Sequence, residues 1–296
     1  MRILPGTGFL IGDTPMVRLD RLAARHGCFA EIFLKLEYFN PAFSSKDRVA
    51  KVMLEEAEKS GKIKPNFEPA YTLVEATNGN LGISLAFMAA QKGYKLVLAA
   101  PEDIDEARKN QLRVMGAELT LTPKSEGMRG ALQEAEEIVK KTPYSFLTGQ
   151  FTTNICNLAH YKTTGPELWH QCGGQVDVFV AMIGSGGTVS GVGRYLKERS
   201  KTVKIVGLEP LGNFNIEPKA LNRSYLDETM KVTRREAIET AQELMRLDGI
   251  FGGLSTGANI AAAIKIARSS GLRSRRIVCM ACGRAENYLC PPLLKN

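Results

Sequence analysis

The chain has 296 residues, 44% hydrophobic and 24% charged, ordinary proportions for a globular protein with a sizeable core. Its formal net charge is +8, but the basic residues are scattered, and no aromatic-interleaved basic surface suggests nucleic acid. The opening MRILPGTGFL is too short an apolar stretch for a signal peptide, and no run is long enough to cross a membrane, so a cytoplasmic location is expected.

Apolar periodicity predicts the elements in order. Phe29 to Glu37 is a strand. Lys46 to Lys59 has helical spacing, with Val49, Ala50, Met53, Leu54 and Ala57 on one side. Tyr71 to Ala76 is a strand, Gly82 to Gln91 a small-residue helix, and Lys95 to Ala99 a strand. Asp105 to Met115 is a helix, Glu118 to Thr122 a strand, and Gly127 to Lys140 an amphipathic helix. Leu158 to Gln171 reads as helix with a break near Pro166. Val176 to Ile183 is a β-branched apolar run, as expected of a strand buried on both faces. A helix follows Gly184 to Thr188, and Val203 to Leu208 is a strand. Thr233 to Arg246 and Ser255 to Arg268 are helices, and Arg276 to Met280 is the last strand. Such alternation predicts an α/β fold with twisted, mostly parallel sheets flanked by helices. A seam near Thr142 to Gln150 divides two blocks, and Pro210 to Asp227 is the one long irregular piece.

Six cysteines are spread through the chain, and Cys279 and Cys282 form a C-x-x-C within an apolar strand. Strand positions three apart point to opposite faces, so both are expected in the core rather than as a dithiol or metal clamp. His26, His160 and His170 show no ligand spacing, and no metal is expected.

Chemistry-bearing residues gather in five stretches. Gly184-Ser185-Gly186-Gly187-Thr188 lies between strand and helix, where glycines and a helix N-terminus can cradle an anion. Alone, a tight turn is the better account. Lys46 stands where a loop enters a helix; it is either held in a cleft or solvated. Thr77-Asn78-Gly79-Asn80-Leu81 is a polar turn between strand and helix that could hold a carboxylate. Gln150-Phe151 follows the seam. Ser255 opens another helix, and both Ser255 and Thr77 have an alternative reading as N-caps.

Taken together, the motifs resemble a known family. NPAFSSKDR, EATNGNLGI, GQF, HYKTTGPELW, GSGGTVSGVGRYLK, VGLEP and GIFGGLSTGA occur in the order found in fold type II pyridoxal-phosphate enzymes of the cysteine synthase group. IGDTPMVRL and CGRAENYL extend the resemblance over nearly the whole chain, nearest the B-type.

The resemblance implies a tryptophan synthase β-like fold of two domains. Residues 37–144 would form a smaller, mobile domain, and 1–36 with 145–296 a larger one, with pyridoxal 5′-phosphate between them. Lys46 matches the lysine that carries the cofactor and serves as catalytic base. Gly184, Ser185, Gly186, Gly187 and Thr188 match the phosphate loop. Asn80 matches the asparagine beside the pyridoxal 3′-oxygen, and Ser255 the hydroxyl at the pyridine nitrogen. Thr77, Asn78, Gly79 and Leu81, with Gln150, match the site of the substrate carboxylate.

The implied reaction is β-replacement through an α-aminoacrylate. O-acetylserine or O-phosphoserine would react with sulfide or thiosulfate to give cysteine or S-sulfocysteine. An amine acceptor such as glutamate, on the way to diaminopropionate, is the alternative reaction. A non-catalytic cofactor-binding relative with a regulatory role is the third reading. A homodimer is implied by family alone. Three residue-level departures stand out. The carboxylate turn reads T-N-G-N-L where the family usually reads T-S-G-N-T. Gly283 replaces an acidic residue, and the piece between Pro210 and Asp227 is shorter than usual.

Overall fold

The computed structural model describes residues 3–211 and 219–285. Two sheets organise these residues. The larger has six strands, in spatial order β1 (Met16–Arg18), β2 (Glu31–Leu36), β10 (Arg276–Ala281), β7 (Val178–Met182), β8 (Lys204–Leu208) and β9 (Glu228–Met230). All its pairings are parallel except β1 with β2. The smaller sheet is wholly parallel, in the order β5 (Glu118–Thr122), β4 (Lys95–Pro101), β3 (Thr72–Ala76) and β6 (Ser145–Leu147).

The helices are α1 (Asp20–Arg25), α2 (Lys46–Lys59), α3 (Asn80–Lys92), α4 (Glu106–Val114) and α5 (Gly127–Lys141). They continue with α6 (Ile155–Lys162), α7 (Thr164–Gln171), α8 (Gly187–Arg199), α9 (Arg234–Asp248) and α10 (Leu254–Ala267). The central strands β3 and β7 are buried almost throughout, which explains the unbroken apolar run of β7; β3 buries Thr72 and Glu75 as well. Helices α3 and α10 are rich in small residues and buried nearly all round. Helix α9 starts with a reciprocal capping box between Thr233 and Glu236, a sharp local signal for its N-terminus.

Most expected elements are present, with differences that have local causes. Leu158 to Gln171 is two helices, and the break falls at Thr163 rather than near Pro166. Proline is tolerated in the first turn of a helix, where its missing N–H has no partner to lose, and Pro166 occupies that turn of α7. The sequence did not reveal β1, α1, β6 or β9. The three strands among them have three residues each, too few for a period to register. Strand β6 lies within the expected seam and pairs with β3, so the smaller sheet extends past the expected domain boundary at residue 144. Part of the irregular Pro210 to Asp227 piece lies outside the described residues.

Close helix packing fixes the glycine-rich turn. A Cβ at Gly191 would meet the Asn157 carbonyl oxygen at 2.3 Å, so only glycine lets α8 lie this close to α6. No helix among the described residues is long and apolar enough to cross a membrane.

Candidate active site

Parallel sheets place their ligand crevices beyond the C-terminal ends of the strands, where chain turns into helix. Here Thr77 follows β3, Gln150 follows β6, Gly184 follows β7 and Cys282 follows β10. Residues from all four line one cavity of about 190 Å³. Lys46, Asn80, Leu81, Thr188 and Ser255 reach it from the first turns of α2, α3, α8 and α10. In none of these helices does the N-cap side chain bond the first-turn amides, which leaves N–H groups and the positive dipole ends for an anion.

All but one of the expected site residues line this cavity: Lys46, Thr77, Asn78, Gly79, Asn80, Leu81, Gln150, Gly184, Ser185, Gly186, Thr188 and Ser255. Gly187 does not. It begins α8 against Cys156, whose Cβ would lie 2.4 Å from a Cβ placed at 187. Gly186 has φ +77°, in the left-handed region, and a Cβ there would sit 2.6 Å from the Leu221 Cα. Gly186→Ala is therefore expected to distort the turn. Its retention of bound cofactor on dialysis should fall about tenfold or more, read as cofactor absorbance per protein. Unchanged retention would mean that the turn does not hold the phosphate.

Lys46 crosses the cavity. Its Nζ donates to Ser185 Oγ at 3.2 Å, from the first residue of one helix to the turn before another. Its neighbour Asp47 anchors that position, accepting from Ala42 N at 2.7 Å and from Ser84 Oγ at 2.6 Å. Burial pushes the Asp47 carboxyl up to about 7 despite those two bonds. The buried Arg48 reaches the other way. Its Nε donates to Glu37 Oε2 at 2.6 Å, and its Nη2 to Glu167 Oε2 at 2.7 Å.

The remaining side chains are set by equally specific contacts. Arg108 Nη1 donates to Asn80 Oδ1 at 3.1 Å, which turns the amide nitrogen of Asn80 away from Arg108. Thr188 Oγ1 lies 3.1 Å from His160 Nε2, and His160 Nδ1 lies 2.9 Å from Thr164 Oγ1. Burial drives the His160 pKa down to about 3, so the imidazole is neutral and steadies the Thr188 hydroxyl. Gln150 Nε2 donates to the Ala76 carbonyl at 3.1 Å.

Neither capping alternative describes the hydroxyls. Thr77 Oγ1 accepts from Gly79 N at 3.2 Å inside the turn, and Gly79 is the N-cap of α3. Ser255 lies within α10, whose N-cap is Gly253. Its buried Oγ has no oxygen or nitrogen partner, only the weak thiol of Cys282 beside it. A buried hydroxyl with only a weak thiol beside it, on a residue that lines the cavity, fits a ring nitrogen, and the uncapped Gly-rich helix start fits a phosphate. The residues present thus suit pyridoxal phosphate.

Cys282, Leu81 and Gly283 each have a particular setting. Cys279 is a core residue of β10, but Cys282 falls just past the strand end, where the backbone turns, and it lines the cavity. Burial pushes its thiol up to about 12, so it is a neutral neighbour rather than a nucleophile. Leu81 touches the cavity, yet it is only 1% exposed and packs in the core beside α2. Gly283 pairs with Ser44 across an antiparallel bridge, and a Cβ there would press on Asn80 Nδ2 at 2.9 Å. An acidic side chain at 283 would thus displace Asn80.

Sequence reasoning missed Met182, Cys282, the buried Glu75 and the contacts of Arg108 and His160. For Glu75 a signal existed: a lone acid in the otherwise uncharged strand TLVEA. A larger cavity, about 740 Å³, is lined by Thr148 and Thr153 on either flank of the Gln150 turn, but its basic residues are exposed surface groups. Among the described residues no three His, Cys, Asp or Glu side chains converge.

Comparison with known proteins gives the family. The model of the pyridoxal-phosphate dependent enzyme family matches residues 8–283. Cysteine synthase B of Escherichia coli K12 is 41% identical over 94% of this chain and 92% of its own length. Cysteine synthase A of the same organism is 40% identical over 100% of this chain and 97% of its own. The crystal structure of cysteine synthase from Entamoeba histolytica superposes with TM-score 0.92 at 33% identity, covering 100% of this chain and 92% of that one. On sequence, fold and cavity alike, the chain belongs to the pyridoxal-phosphate-dependent enzymes, within their cysteine synthase family.

Proposed function

We propose that the protein is a cysteine synthase whose donor is O-acetylserine or O-phosphoserine and whose acceptor is sulfide or thiosulfate. The observation that carries the reading is Lys46 aimed across the cavity at the Gly-rich turn, 3.2 Å from Ser185.

Bound, pyridoxal phosphate supplies an electron sink that acidifies the α-proton of an amino acid. Lys46 Nζ is the group that carries it and takes the donor's α-proton as general base. The amides of Gly184 to Thr188 and the start of α8 hold the phosphate, with the Thr188 hydroxyl steadied by neutral His160. Asn80 serves the ring hydroxyl. Ser255 Oγ serves the ring nitrogen, and a neutral hydroxyl does not hold that nitrogen protonated as a carboxylate would. The site therefore favours loss of the β-leaving group over racemisation. Thr77, Asn78, Gly79, Leu81 and Gln150 form the donor-carboxylate pocket. The 37–144 block, with the seam adjusted for β6, is the mobile partner that shuts water out. A cytoplasmic homodimer is proposed with this function, supported by the exposed Phe9, Leu10 and Phe39.

Leu81 offers no hydroxyl to the donor. Leu81→Thr is expected to tighten donor binding while lowering stability by about 2–3 kcal/mol, because a packed side chain is lost. Titration of donor binding and thermal melting check the two effects. Unchanged donor binding would place position 81 in the core alone.

The acceptor is tested by offering sulfide, thiosulfate and glutamate separately with each donor. Cysteine or S-sulfocysteine as the dominant product supports the reading. Dominant transfer to glutamate replaces it with amine transfer, and no product from any pair leaves a cofactor-binding regulator.

A further inference from the structure

Glu75 is the only charged residue of β3, wholly buried, and it does not line the cavity. Three donors converge on its carboxylate. Oε1 accepts from Ala76 N at 2.9 Å, and Oε2 accepts from Thr148 Oγ1 at 2.6 Å and Gln150 N at 3.0 Å. Gln150 closes a ring by returning its side-chain amide to the Ala76 carbonyl. Through this ring the start of the Thr77–Leu81 turn is tied to the Gln150 turn, which follows the C-terminal end of the parallel neighbouring strand β6.

We propose that Glu75 is a positioning residue for the amino-acid donor, holding the Gln150 turn in register with the Thr77–Leu81 turn. The inference rests on the reading of those two turns as the donor-carboxylate pocket.

An ionised carboxylate is acceptor-only, which matches three donors and no acceptor. A proton on Glu75 has one accommodating partner, the Thr148 hydroxyl. It can turn to accept because its oxygen also lies 3.1 Å from the Val74 carbonyl, to which it can donate. Gln150 N–H is then left on a neutral oxygen and held less firmly. The charged or titratable groups that act on Glu75 are Lys46 at the start of α2 and Cys156 in α6. Cys156 is a neutral thiol, raised by burial. Burial pushes Glu75 up to about 7, against its three hydrogen bonds and the opposing charge of Lys46. Its grip on Gln150 is full above that pH and loosens below it.

The test is binding of L-cysteine to the cofactor-loaded protein by calorimetry between about pH 6 and pH 8.5, comparing wild type with Glu75→Gln. The ratio of the two dissociation constants removes the ligand's own ionisation. Glutamine keeps the shape but turns an N–H toward a backbone N–H. At the alkaline end its dissociation constant should be about tenfold higher than wild type, and the ratio should narrow toward the acid end, where Glu75 is itself neutral. Cofactor absorbance and thermal midpoint establish that the variant is folded. Thr148→Val is the second variant. It removes a charge-assisted bond from the ionised form and a weaker one from the protonated form, so the wild-type midpoint near 7 should move up. If Glu75→Gln does not fold, Thr148→Val decides alone. A flat ratio across pH, or an unshifted midpoint in Thr148→Val, overturns the inference and leaves the pocket assignment standing. Wild-type protein that binds L-cysteine at no pH removes the pocket assignment itself, and the inference with it.

Discussion

Lys46→Ala should lose covalent attachment of the cofactor and about a thousandfold or more of the turnover, because the proposed mechanism makes one side chain both anchor and base. The fold should survive. Lys46 is half-buried at the first position of a helix, where alanine is well tolerated, and the Asp47 and Arg48 anchors remain. The phosphate cradle would also remain, so the variant should still bind cofactor, though without a bond that borohydride fixes. Peptide mass analysis after reduction reads this directly. A reduced adduct that persists in the variant on another lysine would remove Lys46 from the mechanism.

Arg48→Met should be the most destabilising single change near the site. Arg48, Glu37, Lys35 and Glu167 form a buried ionic cluster, with Glu37 and Arg48 wholly inaccessible. Lys35 Nζ adds bonds to the Thr14 carbonyl at 2.6 Å and to Gln171 Oε1 at 2.8 Å. Removing the guanidinium strands Glu37 without its strongest partner, and breaking such a pair costs about 3–5 kcal/mol. The thermal midpoint should fall by roughly 10 °C. A fall of only a degree or two would mean that water reaches the cluster. Burial alone would raise the Glu167 carboxyl, but Arg48 and Lys35 overcome it and hold it down at about 2. A depressed carboxylate stabilises the fold fully above its ordinary value of 4.5 and loses that contribution as pH falls through about 2. Since Arg48 is two residues from Lys46, the cluster also fixes where α2 begins, and hence where the lysine points.

Local signals explain what could be read from the sequence. Lys46–Lys59 and Glu118–Thr122 match their expected bounds because spacing and turn residues agree there. The Gly-rich turn was ambiguous by itself. Beside Lys46 and Ser255 in the same family motifs, it is expected to hold a phosphate. What stayed hidden depends on long-range packing. Strand β6 exists because β3 offers it an edge, and its three residues carry no period of their own. Leu81 lines the cavity as the T-N-G-N-L turn suggests, yet helix α3 begins at Asn80 and packs most of the leucine in the core, which the turn does not announce. Cys282 follows the strand pattern on paper, but β10 ends at Ala281 and exposes it to the cavity. The ring around Glu75 joins residues 75 apart, which no local pattern encodes.

The most direct measurement is a spectral titration of the purified, cofactor-loaded protein with O-acetylserine, followed by sulfide. The cofactor band should shift on adding O-acetylserine and return on adding sulfide, with cysteine released in proportion to sites. A band that does not respond to O-acetylserine or O-phosphoserine, in protein whose Lys46 carries the cofactor, would contradict the cysteine synthase assignment.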